Sequence, residues 1–219
     1  MMLTPHPPGV SYSKCVAIEM VEWIDRVFGG PTSPDVNRLI ELDEFCGPDQ
    51  PTLLRLTEVF ETGGTLLARY SDESLNQAFW DLSSNVLFAL GDKSIEWALR
   101  NRLIGSFEIL FREFFAVRCM PALGHLDEEG SPLNSACYMW WDFDCWYSTP
   151  GSALVASMQS ILAIDHVACQ ESALHGLGHW YHRGHSAAVQ SIIDEFLERK
   201  HLRAELREYA HSARTGYVL

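Results

Sequence analysis

Apolar residues in this chain recur every three or four positions, and no segment shows sustained alternation of apolar and polar residues. In residues 13–28, for example, Val16, Met20, Ile24 and Phe28 follow one another at four-residue steps. Residues at this spacing share one face of an α-helix, whereas a half-buried strand requires alternation. Short breaks rich in Gly, Pro and Ser separate the periodic segments. The pattern predicts an all-α fold, either an α–α superhelix of helical hairpins or an irregular helical bundle.

The same pattern predicts the organisation of the chain. Residues 1–12 contain prolines at positions 5, 7 and 8 and are expected to form an irregular N-terminal arm. Residues 13–219 are expected to form a single all-helical domain, with a possible internal break in the segment 119–132, which is rich in Gly, Pro and acidic residues. Helices are predicted at about 13–28, 34–45, 53–60, 95–117, 134–146, 151–163, 166–183, 186–199 and 201–213, with one more after Ser71.

The longest predicted helix covers about residues 95–117, and its second half is apolar on most sides. A helix without a polar face is typical of the centre of a core. We therefore predict that Phe107, Leu110, Phe111 and Phe114 are buried.

The charge of the chain restricts its partners. Acidic side chains outnumber basic ones by 29 to 16, so the net charge is −13. A general nucleic-acid-binding protein needs a basic face that replaces phosphate counterions, and anionic membrane surfaces repel an acidic protein for the same reason. The sequence therefore predicts no binding to nucleic acid or membranes. It favours a basic protein partner, because opposite charges accelerate association.

The location is predicted from the cysteines and from the start of the chain. None of the six cysteines forms a CxxC pair, and no secretory signal is recognisable. These features predict reduced thiols and a cytoplasmic protein. The most apolar segment, near residues 104–117, is interrupted by Glu108, Arg112 and Glu113, so no membrane span is expected.

One segment resembles a known repeat family. It contains Asp165, Val167, Ala173-Leu174 and Leu177-Gly178. Residues 165–180 are therefore similar to the second half of a HEAT-like repeat, although Ala168 stands where a basic residue often follows the valine. The resemblance implies an α–α superhelix. It also implies partner binding more than catalysis, because such folds present extended grooves.

A histidine stripe lies in the same segment, since residues 165–185 hold five of the nine histidines. On a helix, Glu171, His175, His179 and His182 fall within roughly 80° of one another. His175 and His179 have the i, i+4 spacing that brings two imidazole nitrogens to one ion. These four residues are the candidate ligands if the chain binds Zn, Fe or Ni.

Two interpretations of the histidine stripe remain open. It extends about 16 Å along the helix at 1.5 Å per residue, which is too long for one ion. A metal site would therefore need an Asp or Glu from another helix. The alternative is a polar helix edge whose histidines form hydrogen bonds with neighbouring loops, and in that case there is no metal or other cofactor.

A second unusual segment is 138–147, in which three of the seven tryptophans accompany two aspartates. It predicts either core packing or an aromatic and acidic binding hot spot for a basic partner. With the histidine stripe, it forms a candidate partner-binding surface of Trp140, Trp141, Asp142, Asp144, Glu171, His175, His179 and His182.

The functional prediction has a first choice and an alternative. No nucleophile elbow, phosphate-binding loop or dinucleotide-binding motif is present, and we identify no catalytic residues. The sequence favours a protein–protein interaction module, such as an acidic inhibitor or an immunity-type protein that covers a basic partner. The alternative is a metal-binding protein or a metal-dependent enzyme that uses the histidine stripe. No oligomeric state is predicted.

Overall fold

A computed structural model describes residues 19–84, 86–142, 146 and 149–218, and within these residues every regular element is helical. The predicted all-α fold is confirmed. The predicted arm at residues 1–12 lies outside the described residues. The α-helices are α1 (Met20–Phe28), α2 (Val36–Phe45), α3 (Gln50–Glu61), α4 (Asp72–Ser84), α5 (Trp97–Leu110), α6 (Ala116–Arg118), α7 (Leu133–Tyr138), α8 (Gly151–Leu162), α9 (Val167–Trp180), α10 (Ser186–Leu197) and α11 (Ala204–Ala213).

Helix α9 lies at the centre of the C-terminal half of the fold. It contacts α7, α8, α10 and α11, and all of its residues from Ala168 to Gly178 are buried. A helix enclosed on all sides is typical of a bundle, whereas the helices of a superhelix usually keep one face exposed. The histidine stripe therefore begins inside the protein and not on an open ridge.

The aromatic core surrounds one tryptophan. A π-helical turn at Phe111–Phe115 joins α5 to α6, and the four residues of this region that we predicted to be buried are at most 2% exposed. Trp140 is fully buried, and the centroid of its ring lies 5.5–6.2 Å from the centroids of six other aromatic rings. These rings belong to Phe60, Phe79, Phe107, Phe111, Phe115 and Trp146.

The predicted helix at 134–146 is shorter than expected. Helix α7 ends at Tyr138, and a single 3-10 turn, Met139–Trp141, follows it. The carbonyl of Trp140 accepts a hydrogen bond from the indole N–H of Trp146 at 2.8 Å, which occupies an acceptor that a continuing α-helix would use. The turn directs both Trp140 and Trp141 into the core and leaves Asp142 at its end.

Two other sequence expectations concern the thiols and the membrane. Cys119, Cys137 and Cys169 are buried free thiols, Cys46 is also buried, and Cys15 and Cys145 lie outside the described residues. In the part of the chain that the structure covers, no helix has both the length and the apolar character required to cross a bilayer.

Candidate metal centre

Three side chains from two separate elements meet at one point. Oδ1 of Asp142 lies 2.8 Å from Nε2 of His175 and 2.7 Å from Nε2 of His179. The two Nε2 atoms lie 3.1 Å apart. Among the described residues, no other group of three or more His, Cys, Asp or Glu side chains has ligand atoms that all lie within 4.8 Å of one another. We call them the Asp-His-His cluster.

Local structure explains why these residues meet. Helix α9 places His175 and His179 one turn apart, and the 3-10 turn Met139–Trp141, which Asp142 directly follows, packs against the same helix. The contact is close because residue 176 is glycine, where an added Cβ would lie 2.5 Å from Cγ of Trp141. Gly176 therefore lets the tryptophan lie directly on the helix, which brings Asp142 within reach of both histidines.

The Asp-His-His cluster is buried on one side and open on the other. The side chain of His175 is 1% exposed, that of Asp142 is 24% exposed and that of His179 is 38% exposed. The buried histidine holds the position of the cluster, while the other two side chains border solvent. A cation bound here would therefore keep coordination positions that water or a small molecule can reach.

The electrostatics of the Asp-His-His cluster favour a cation. Burial by itself raises the pKa of Asp142, but hydrogen bonds from His175 and His179 outweigh it and hold this pKa well below its usual range. The aspartate is thus an anionic ligand at neutral pH. Both imidazoles can donate to Asp142 only when both Nε2 atoms carry protons, and the two N–H groups then lie side by side at 3.1 Å. A cation bound by the three lone pairs removes that conflict.

Glu171 has a different role from the one the stripe predicted. It is 1% exposed, and its carboxylate accepts hydrogen bonds from the backbone N–H of Gly124 at 2.8 Å and of His125 at 3.0 Å. Its Oε1 also lies 2.5 Å from Nδ1 of His125. Glu171 therefore anchors the loop before α7 and lies outside the Asp-His-His cluster, whose carboxylate comes from Asp142 instead.

His182 also lies outside the Asp-His-His cluster. It follows α9 in a π-helical turn, Tyr181–His185, which contains Gly184 at φ +85°. This left-handed conformation favours glycine and produces the kink between α9 and α10. His182 is exposed and its ring lies 5.0 Å from that of Tyr181. The histidine stripe was predicted on one straight helix, but α9 ends at Trp180. His182 therefore lies beyond the helix that carries His175 and His179.

The members of the predicted partner-binding surface lie in different environments. Trp140 and Trp141 are at most 1% exposed, so they present almost no area to a partner. Asp144 lies outside the described residues. Sequence reasoning missed Asp142 as a ligand, because it lies 33 residues from His175 in the chain. One signal was available, since an acid directly after two buried tryptophans requires a polar partner nearby.

The loop that Glu171 anchors has a second attachment. The guanidinium of Arg203, just before α11, forms a salt bridge with Glu128 and donates to its Oε2 from Nη1 at 2.9 Å. Glu128 also accepts from the backbone N–H of Leu123 at 2.9 Å. The hydrogen bond from Arg203, followed by that from Leu123, lowers the pKa of Glu128 from 4.5 to about 2.

The ion pair between Arg203 and Glu128 makes the stability of the folded protein depend on pH. Because the pKa of Glu128 is lowered in the folded protein, its contribution to stability is present above pH 4.5 and is lost as the pH falls towards about 2. In ¹³C NMR titrations, we expect the Glu128 carboxyl to titrate near pH 2 in the parent. It should titrate closer to 4.5, the ordinary value, in Arg203→Met. Arg207→Met, on α11, should leave the titration unchanged. A parent titration near pH 4.5 would show that the ion pair is not formed in solution.

Comparison with known proteins found no matching family model, no matching curated protein and no matching solved structure. The HEAT-like resemblance of residues 165–180 therefore stays a prediction. Functional conclusions depend on the geometry of the Asp-His-His cluster.

Proposed function

We propose that this protein binds one divalent transition-metal ion through Asp142, His175 and His179 and works as a metal-dependent enzyme. The supporting observation is the convergence of three ligand atoms from two elements, within 2.7–3.1 Å of one another. Three protein ligands with open positions are typical of catalytic metal sites, whereas structural zinc sites have four. When bound, such an ion activates water or polarises a substrate oxygen.

Each residue of the Asp-His-His cluster has a defined part in this proposal. Asp142 supplies the negative charge that offsets part of the ion's charge. His175, 1% exposed, is the rigid ligand, because packing on all sides fixes its ring. His179, 38% exposed, lies at the border with solvent, where substrate would approach.

The spacing of the ligand atoms favours an octahedral ion. Three atoms on one face of an octahedron lie about 3.0 Å apart when each is about 2.1 Å from the ion. In a tetrahedral zinc site with bonds of the same length they lie about 3.4 Å apart. The observed edges of 2.7, 2.8 and 3.1 Å are closer to the octahedral value. Two histidines and a carboxylate are typical of non-haem Fe(II) sites and also of catalytic zinc sites, so Fe(II) is the first ion to test and Zn(II) the second.

The test is a calorimetric titration of chelator-treated protein with Fe(II) under anaerobic conditions, and with Ni(II) and Zn(II). We expect one ion per chain. His179→Ala should weaken binding by more than the roughly 10–100-fold that is typical of losing a partner outside the ligand shell.

His182→Ala is the matched control, because it removes an exposed histidine from the turn that directly follows the same helix. It should bind the ions as the parent does. A parent that binds none of the ions contradicts the proposal. Equal losses in the two variants would assign the binding to exposed histidines in general.

The interaction with a basic protein and the HEAT-like superhelix are not part of this proposal. Burial of Trp140 and Trp141 removes the aromatic anchors on which the predicted interaction surface depended. The enclosure of α9 by its neighbours supports a bundle more than a superhelix.

A further inference from the structure

A series of ring contacts and hydrogen bonds connects His175, the buried histidine of the Asp-His-His cluster, to two tyrosines. The hydroxyl oxygen of Tyr209, on α11, lies 2.7 Å from Nδ1 of His175. The hydroxyl of Tyr138, at the end of α7, lies 3.3 Å from that of Tyr209. The ring of Tyr138 also lies 4.7 Å from the ring of His175. Both nitrogens of His175 are thus engaged, one by Tyr209 and the other by the cluster.

We propose that Tyr209 is a positioning residue for the metal ligand His175, a role that depends on the proposed metal binding. A neutral imidazole carries its proton on one nitrogen and a lone pair on the other. When Tyr209 accepts a hydrogen bond from Nδ1–H, the lone pair of Nε2 is directed into the Asp-His-His cluster. Histidine ligands usually donate their second N–H to a partner in this way, which fixes the tautomer and the ring orientation.

The hydroxyl of Tyr209 has a suitable partner for this role. Because its oxygen accepts from His175, its own proton is free to be donated to the oxygen of Tyr138 at 3.3 Å. The proton of Tyr209 therefore need not point at His175. The Tyr138 contact favours the arrangement in which His175 donates to Tyr209 and Tyr209 donates to Tyr138. This arrangement leaves the lone pair of Nε2 of His175 available for a metal.

The ring of Tyr209 is held from its other side. The imidazole of His125 stacks on it with centroids 4.2 Å apart and an interplanar angle of 19°. Nδ1 of His125 lies 2.5 Å from the buried carboxylate of Glu171. Glu171 thus supports the metal site indirectly, through His125 and Tyr209. Glu171 and His175, which lie one turn apart on α9, therefore both contribute to the same metal site.

The test compares two tyrosine variants. Tyr209→Phe keeps the ring that stacks on His125 and removes only the hydroxyl. We expect its affinity for Fe(II), and for Co(II) as a spectroscopic probe, to fall by about 10–100-fold. The visible bands of bound Co(II) should also shift, because the orientation of the His175 ring changes. Tyr138→Phe removes a hydroxyl from the same series of hydrogen bonds but keeps the Tyr209–His175 contact, so its loss of affinity should be clearly smaller.

A second measurement does not depend on a variant. In the parent loaded with diamagnetic Zn(II), ¹⁵N NMR of the histidine rings reports which nitrogen of His175 carries the proton. We expect the proton on Nδ1. Tyr209→Phe with the affinity and Co(II) spectrum of the parent overturns this inference but leaves the proposed function intact. A proton on Nε2 overturns both, because a protonated ring nitrogen has no lone pair to bind the ion. A parent that binds none of the ions contradicts both.

Discussion

Replacing Trp140 by alanine is expected to lower the free energy of unfolding by about 3–5 kcal/mol, the usual range for removing a large aromatic side chain from a core. The ring is fully buried and contacts six other aromatic rings drawn from α3, α4, α5, the π-helical turn and the segment after α7. These elements cannot close the cavity without moving relative to one another. Chemical denaturation followed by circular dichroism measures the change.

Trp97→Ala is the matched control for this experiment. Trp97 is the first residue of α5, and it is 41% exposed. Its removal should change the free energy of unfolding by less than about 1 kcal/mol. If Trp140→Ala lowered the free energy of unfolding by no more than this control, Trp140 would be a surface residue. It could then contact a partner, as the sequence analysis predicted.

The second large effect is expected for Glu171→Ala, with a loss of about 3–5 kcal/mol, as for breaking one partner of a buried ionic contact. The substitution removes the acceptor of two backbone N–H groups and of the His125 ring. Those donors lie in a loop that packs on α9, and they would remain without a partner.

Glu195→Ala, an exposed acid on α10, should stay within about 0.5 kcal/mol of the parent in the same denaturation experiment. Comparable small changes in both variants would mean that Glu171 does not anchor the loop. That result would also weaken the support that His125 gives to Tyr209.

The sequence predicted what depends on local periodicity. The four-residue steps of Met20, Ile24 and Phe28 predicted helix α1, and an unbroken apolar surface predicted burial of Phe107 and Phe111. The first part of the predicted helix, residues 13–18, lies outside the described residues. The i, i+4 spacing of His175 and His179 was sufficient to identify them as candidate ligands, because both lie within one regular helix.

Periodicity could not predict contacts between distant elements. It placed Asp142 inside a helix, whereas the hydrogen bond between Trp146 and the Trp140 carbonyl marks a turn there. It grouped Glu171 with the histidines, although the loop donors at Gly124 and His125 occupy that carboxylate. The close contact of Trp141 with Gly176, which brings Asp142 to His175, is a property of tertiary packing alone.

The most direct measurement is a crystal structure of the protein loaded with Fe(II) under anaerobic conditions, with diffraction data collected at the iron absorption edge. We expect one anomalous peak per chain, about 2.0–2.2 Å from Oδ1 of Asp142 and from Nε2 of His175 and His179. Glu171 and His182 should make no contact with the ion. Loaded crystals that show no peak between these three atoms would contradict the account.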